Sequence, residues 1–315
     1  MTNLKPLKII FMGTPEFALP SLQALLASRH EVVAVVTQPD RPRGRGRKVT
    51  APPVKELAQR AGLPVLQPTA IRTVAFREEL LGYGADVFAV TAYGRILPGA
   101  LLNLPPLGTI NVHGSLLPKY RGAAPVQWAI LNGETEAGVT IMQMDEGLDT
   151  GAILLPGAIP IAAADTAATL AAKLAELGGR LLVEALDKLQ RGALKPQPQE
   201  GRLVTLAPPL TKEQGRIDWF EPALAISCLI RGLDPWPTAY TFLNDKRLRL
   251  FKPEIVSRAD TAEPGTILAA NQDGLLIATG LESLLIREVQ LEGAKRMAVG
   301  PFLQGRNLEP GTRLG

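Results

Sequence analysis

Short apolar runs alternate with stretches of helical period along the first 190 or so residues. Lys8–Met12, Glu31–Thr37, Val65–Gln67, Asp86–Ala92 and Thr109–Val112 are apolar, bounded by Gly, Pro or polar residues, and read as strands. Phe17–Ala27, Val54–Ala61, Ile71–Leu81 and Pro125–Asn132 place apolar residues at helical spacing between or just after them. Strands alternating with helices predict an α/β domain built on a mostly parallel sheet. Val32, Val33, Val35 and Val36 suit a strand buried on both faces. Gly138–Met144 reads as a further strand, and Asp165 as the N-cap of an alanine-rich helix ending near Arg191.

The pattern changes at Lys195. Residues 195–210, KPQPQEGRLVTLAPPL, are rich in Pro and Gln and read as a linker with an extended piece. After it comes one helix, Ala223–Leu233. Five short strands follow, at Ala239–Leu243, Leu248–Val256, Gly265–Ala270, Gly274–Thr279 and Leu284–Leu291. That spacing predicts a small antiparallel barrel. The chain therefore divides into residues 1–194, a linker at 195–210, and residues 211–315.

Composition narrows the functional classes. Hydrophobic residues at 46% supply ordinary cores. A single cysteine, Cys228, excludes a disulfide framework, and two histidines, His30 and His113, argue against a multi-histidine metal site. No apolar run is long enough to span a membrane, and the N-terminus lacks a secretory h-region, so the cytoplasm is the expected compartment. The first βα turn, Gly13-Thr14-Pro15-Glu16, lacks the G-x-G-x-x-G fingerprint, so dinucleotide binding has no support.

Net charge is only +4, so the placement of charge matters more than its sum. Within residues 38–53, QPDRPRGRGRKVTAPP, the cations Arg41, Arg43, Arg45, Arg47 and Lys48 alternate with Pro and Gly. The stretch is too polar and too rich in breakers for a regular element. It reads either as a solvated loop or as a basic arm that contacts phosphates.

Chemistry concentrates in residues 109–151. Asn111 and His113 lie two apart and share one side of a strand. Asp149 follows the next strand, so polar groups gather at strand ends, where open α/β sheets bind ligands. An imidazole moves protons, an amide donates to a developing oxyanion, and a carboxylate beside the imidazole fixes its tautomer. Ser115 lacks a nucleophile-elbow context and Cys228 lies in an apolar helical run. Direct transfer to an external nucleophile is therefore expected if the trio is catalytic. On spacing alone, His113 capping a loop and Asp149 capping a turn is an equal alternative.

The segment Asn111-Val112-His113-Gly114-Ser115-Leu116-Leu117-Pro118 resembles the 10-formyltetrahydrofolate-dependent formyltransferase family, in which Asn-x-His-x-Ser-Leu-Leu-Pro and a later Asp form the formyl-transfer site. Gln143-Met144-Asp145, Gly147 and Asp149-Thr150-Gly151 match as well, and the likeness runs essentially end to end. The resemblance implies Asn111, His113 and Asp149 as catalytic residues and Ser115, Leu116, Leu117 and Pro118 as the folate-contacting loop. Tyr93 and Ile96, after a strand end, line the pterin pocket or else belong to the core. The implied donor is 10-formyltetrahydrofolate, with no metal.

The insertion near residues 39–53 and the extra C-terminal third resemble the branch of the family whose acceptor is methionyl initiator tRNA. That implies a Rossmann-like formyltransferase domain followed by an OB-like, tRNA-binding barrel. It also implies contact between Arg41, Arg43, Arg45, Arg47 and Lys48 and the tRNA, and a product used in translation initiation. A monomer without membrane attachment is expected. Small-amine or sugar-nucleotide acceptors are the rival reading, but need neither arm nor barrel. An RNA-binding module with a decayed catalytic half is another, opposed by the intact trio. Nothing local requires Leu117–Pro118 to be cis.

Overall fold

The structure, a computed structural model, describes residues 5–43, 48–257, 261–306 and 308–315. Its contacts form two compact units. One holds the residues up to Gly122 with Ala137–Ile159 and Ala171–Leu206; the other holds Ala123–Glu136, Pro160–Leu170 and Ala207–Gly315.

Along the first part of the chain run β1 (Lys8–Gly13), α1 (Leu19–Leu26), β2 (Glu31–Val36), β3 (Arg41–Arg43), β4 (Lys48–Thr50), α2 (Pro53–Arg60), β5 (Val65–Leu66), α3 (Val74–Gly82), β6 (Val87–Thr91), α4 (Gly99–Leu102), β7 (Thr109–His113), β8 (Arg121–Gly122), α5 (Pro125–Leu131), β9 (Glu136–Gln143), β10 (Ile153–Pro160) and α6 (Ala167–Gln190). Prolines open α1, α2 and α5 in their first turn, where a missing N–H costs nothing. Helix α3 starts three residues later than its apolar period suggests, because the Thr73 hydroxyl caps the Phe76 N–H at 3.2 Å. The cap of α6 is likewise Thr166 rather than Asp165: the Thr166 hydroxyl accepts from the Thr169 N–H at 3.3 Å.

Seven strands form one sheet in the order β10-β9-β7-β6-β1-β2-β5. The pairs β1–β2, β1–β6, β2–β5 and β6–β7 are parallel. Ile9–Met12 of the central strand are fully buried, as a strand covered on both faces requires. Strand β10, which the apolar pattern did not single out, closes one edge. Along most of it exposed residues alternate with half-buried ones, and Pro156-Gly157 interrupts its apolar run, so it does not read as a strand covered on both faces.

The basic stretch departs from expectation. Its described flanks pair antiparallel, Arg41↔Thr50, Pro42↔Val49 and Arg43↔Lys48, as a two-stranded ribbon rather than a loop. Such a ribbon consists only of edge strands, and edges tolerate proline. Arg45 and Arg47 lie outside the described residues.

After β11 (Leu206–Ala207), whose two residues divide between the units, the second unit adds α7 (Ala223–Gly232), β12 (Tyr240–Leu243), β13 (Lys246–Val256), β14 (Ile267–Asn271), β15 (Gly274–Ala278), β16 (Ser283–Leu291), β17 (Met297–Ala298) and α8 (Val299–Leu303). The sheet order is β12-β13-β16-β15-β14, with β17 on β16. The pairs β12–β13, β13–β16, β16–β15, β15–β14 and β16–β17 are antiparallel. Asn244 and Asp245, both at positive φ, make the tight turn between β12 and β13. Ile226 and Ile230 of α7 pack with Leu248, Leu250, Ile286 and Val289 in its core. Helix α5 packs on α7 and so belongs to this unit. No helix among the described residues is long and apolar enough to cross a membrane.

Candidate active site

Strand β7 lies between β6, where Val90 pairs with Asn111, and β9, where Met142 pairs with Asn111 and Thr140 with His113. The pleat sends Asn111 and His113 to one face. Asn111 is half-buried and its amide has no hydrogen-bond partner among the described residues. His113 is 6% exposed. Its Nε2 lies 3.0 Å from the Tyr120 carbonyl oxygen, which can only accept, so Nε2 carries the proton and donates. Nδ1 therefore faces the reactive side, 3.6 Å from Asp149 Oδ1. That separation is too long for a hydrogen bond, and the two groups pair as ions only when the ring is protonated.

The route that brings Asp149 there is not the one strand ends suggest. Because β9 runs antiparallel to β7, its last residue, Gln143, sits beside Ile110 and away from His113. The 144–152 connection has to travel back. Several bonds hold it: Asp149 Oδ2 accepts from the Gly122 N–H at 2.8 Å, and Gln199 Nε2 donates to the Asp149 carbonyl at 2.8 Å and the Gly151 carbonyl at 2.7 Å. Gln199 is itself held by Arg121, whose guanidinium donates twice to its Oε1. Asp149 sits at φ 52°, a left-handed conformation that these bonds enforce. Gly151 leaves no room for a side chain: a Cβ there would stand 1.7 Å from the Gln143 carbonyl oxygen.

Gln199 and Arg121 are absent from the candidates drawn from sequence. Gln199 lies in the Pro/Gln-rich stretch taken as a linker, and no local pattern distinguishes it from its neighbours.

The 115–118 loop is also pinned. Thr140 Oγ1 donates to the Ser115 carbonyl at 2.7 Å and accepts from the Leu117 N–H at 3.0 Å. The Ser115 hydroxyl donates to the Lys119 carbonyl at 2.6 Å, so it is committed to the loop and not poised as a nucleophile. Leu117 is buried, Leu116 and Pro118 are half-buried, and the Leu117–Pro118 peptide is cis. Leu116 reaches over Gly138, where a Cβ would stand 2.4 Å from its Cδ2.

Tyr93 and Ile96, read as lining the pterin pocket or else as core, separate in the structure. Tyr93 is 2% exposed and packs in the core with Met12, Leu97 and Leu101, where burial pushes its phenol pKa up. Ile96 is 71% exposed. The strand ends one residue short of Ala92, whose positive φ turns Tyr93 inward. Arg41 is exposed, with its guanidinium 3.3 Å from Gln38 Oε1.

A buried imidazole faces a carboxylate, next to an amide with no hydrogen-bond partner among the described residues, on a Rossmann-like sheet; such groups are able to move a proton and to donate to an oxyanion. The comparisons narrow the class. Residues 7–186 match the family described as formyl transferase, and residues 209–307 match its C-terminal domain. The chain belongs to the formyl transferase family. It is 57% identical over 310 residues to a methionyl-tRNA formyltransferase of Desulfotalea psychrophila, covering 98% of this chain and 96% of that one. It is 50% identical over 309 residues to the protein of that name from Citrifermentans bemidjiense, covering 98% and 96%. Among solved structures, HypX from Aquifex aeolicus in complex with tetrahydrofolic acid aligns with TM-score 0.66 at 20% identity, over 97% of this chain and 49% of that one. An N-formyltransferase from Helicobacter canadensis aligns with TM-score 0.64 at 18% identity, over 92% and 100%. At those identities the likeness is one of fold.

Proposed function

We propose that the protein transfers the formyl group of 10-formyltetrahydrofolate to the α-amine of methionyl initiator tRNA. The observation that carries this reading is the buried His113–Asp149 pair with Asn111 on the same face of β7. The relatives named methionyl-tRNA formyltransferase, similar over 98% of the chain, support the acceptor.

The donor supplies a formyl carbon bonded to a nitrogen leaving group. The half-buried amide of Asn111, without a hydrogen-bond partner among the described residues, fits a carbonyl oxygen that gains charge. As the amine nitrogen bonds to the formyl carbon, Asn111 donates its amide hydrogens to that oxygen. His113, fixed by Tyr120 at Nε2, presents Nδ1 as the nitrogen that holds a proton for the departing nitrogen. Asp149 offsets the positive charge of the protonated ring and is positioned to take up the proton the amine sheds. Ser115 and Thr140 hold the Leu116–Pro118 segment in shape against the folate. Arg41, Arg43, Arg45, Arg47 and Lys48 meet the phosphates of the tRNA, residues 211–315 form the RNA-binding part, and residues 1–194 form the catalytic part. As a translation enzyme the protein works in the cytoplasm, as a monomer.

A formyl-transfer assay tests the reading. Charged initiator tRNA is offered in parallel with a small primary amine and an amino-sugar nucleotide. Formylation of the tRNA at least about a hundredfold more efficient than of either small acceptor is expected. Comparable or preferred use of a small acceptor overturns the tRNA assignment, and no transfer to any acceptor overturns the chemistry.

A further inference from the structure

The second unit carries a recess of about 380 Å³ that the proposed chemistry does not use. Its lining mixes aromatic rings and cations. Trp236, a large apolar residue, is 54% exposed there. The Arg247 guanidinium lies 4.4 Å from the centre of the Tyr240 ring, the face-on arrangement that fixes a cation without neutralising it.

The cations are not equivalent. Arg296 is committed, at 3.1 Å to Asp234 and 2.7 Å to Glu288. Arg247, Arg249 and Lys212 form no ion pair with a carboxylate among the described residues, and Arg249 contacts only the neutral amide of Gln290, at 3.2 Å. An open indole beside three cations that form no carboxylate ion pair among the described residues matches a ligand with a flat π-face and an anion a few ångströms away. A base and its phosphate have that form. Stacking on aromatic rings combined with arginine contacts to the backbone is how single-stranded nucleic acid is held. The volume suits one nucleotide and is far too small for a duplex.

We propose that this recess binds an unpaired nucleotide of the acceptor RNA, its base on Trp236 and its phosphates on Arg247, Arg249 and Lys212. The proposal rests on the tRNA reading above and adds a place and a mode of contact to it.

The test uses the full chain. A five-nucleotide unstructured oligoribonucleotide, a blunt-ended, fully paired RNA duplex, a mononucleotide and initiator tRNA are titrated by fluorescence anisotropy or tryptophan quenching. Expected is binding of the oligonucleotide, with affinity falling about tenfold in Trp236→Ala and largely restored in Trp236→Phe. The pair Arg247→Gln and Arg249→Gln should lower the slope of log affinity against log salt by about 1.4, at about 0.7 for each lost phosphate contact. Oligonucleotide affinity and salt slope equal to wild type in these variants, with unchanged circular dichroism, overturn the proposal. Equal affinity for the blunt-ended duplex overturns the unpaired mode. A mononucleotide that binds as well as the oligonucleotide and is not displaced by tRNA overturns the RNA source in favour of a free nucleotide. Formylation of charged initiator tRNA by the wild-type protein is measured alongside. If it is absent, the functional reading fails. If it is present while the variants keep the wild-type tRNA KM, the recess alone fails.

Discussion

The end of β7 and the β3–β4 ribbon belong to the same unit and, in the proposed reaction, serve the same substrates, yet they are built in opposite ways. His113 is 6% exposed, and protein groups face both of its ring nitrogens. Its partner Asp149 is fixed through its side chain and its backbone. On the ribbon, Arg41 and Pro42 are exposed and Val49 is 62% exposed. Proton transfer depends on atoms held to fractions of an ångström, so it requires burial and a dense set of hydrogen bonds. Attraction between charges acts over a Debye length of about 8 Å at physiological salt, so a basic segment requires only reach and exposure.

The comparison is sharpened most by removing the groups that touch the reacting atoms. Asn111→Ala and His113→Ala should each lower kcat by about a hundredfold or more, with folate affinity largely kept. Steady-state kinetics with both substrates varied decide this, and near-normal turnover in a folded variant would sink the assignment. Asp149→Asn keeps an oxygen for the Gly122 N–H but removes the charge facing Nδ1. A kcat loss of about ten- to a hundredfold is expected, and an active variant with wild-type kcat would reduce Asp149 to a turn residue.

Gln199 probes the rigidity itself. Gln199→Ala removes both donors that hold the 149–151 backbone, and kcat should fall about tenfold while the folate KM hardly moves. Gln199→Glu keeps the acceptor for Arg121 but supplies no donor, so it should fail to rescue. If it restores full activity, the role of Gln199 is only to hold Arg121.

The ribbon should behave differently. Arg43→Ala, Arg45→Ala and Arg47→Ala together should raise the tRNA KM several-fold, flatten its salt dependence and lower turnover modestly, with the folate KM unchanged. Limited trypsin digestion should cut wild-type protein at these arginines, and saturating tRNA should protect them. Unaltered cleavage and normal kinetics would make the ribbon a solvated hairpin.

The smallest effect is expected far from either region. Burial lowers the pKa of His30 below its ordinary 6.5, although Asp187, with Oδ1 3.4 Å from its Nε2, opposes the shift. The folded state therefore binds the proton less readily than the unfolded chain. Stability from this source is complete above about pH 6.5 and falls as the pH drops through the lowered folded value. Tm followed from about pH 7.5 to about 5.5 should decline less in His30→Gln than in wild type. Identical slopes would remove His30 from the pH response.

Local chemistry determined the elements themselves. Apolar runs bounded by breakers located β1, β2, β6 and β7 within a few residues, because a strand covered on both faces reads as a nearly continuous apolar run, whereas five of the C-terminal strands, only partly buried, were set off by the turns between them. The shared face of Asn111 and His113 followed from the two-residue pleat, which holds whatever the neighbouring strands do. The family motif around them named the same residues.

Tertiary structure alone decided how Asp149 reaches His113. The antiparallel direction of β9 is a property of the sheet, and it sends the following loop back from Ile110 under the hold of Gln199, about fifty positions later in the chain. The same holds for Tyr93, turned into the core while Ile96 stays exposed, and for α5, which follows a catalytic-sheet strand in sequence but packs on α7. A periodic pattern reports which side of an element is apolar. Which distant element covers that side depends on contacts between residues far apart in sequence, and no local window contains both partners.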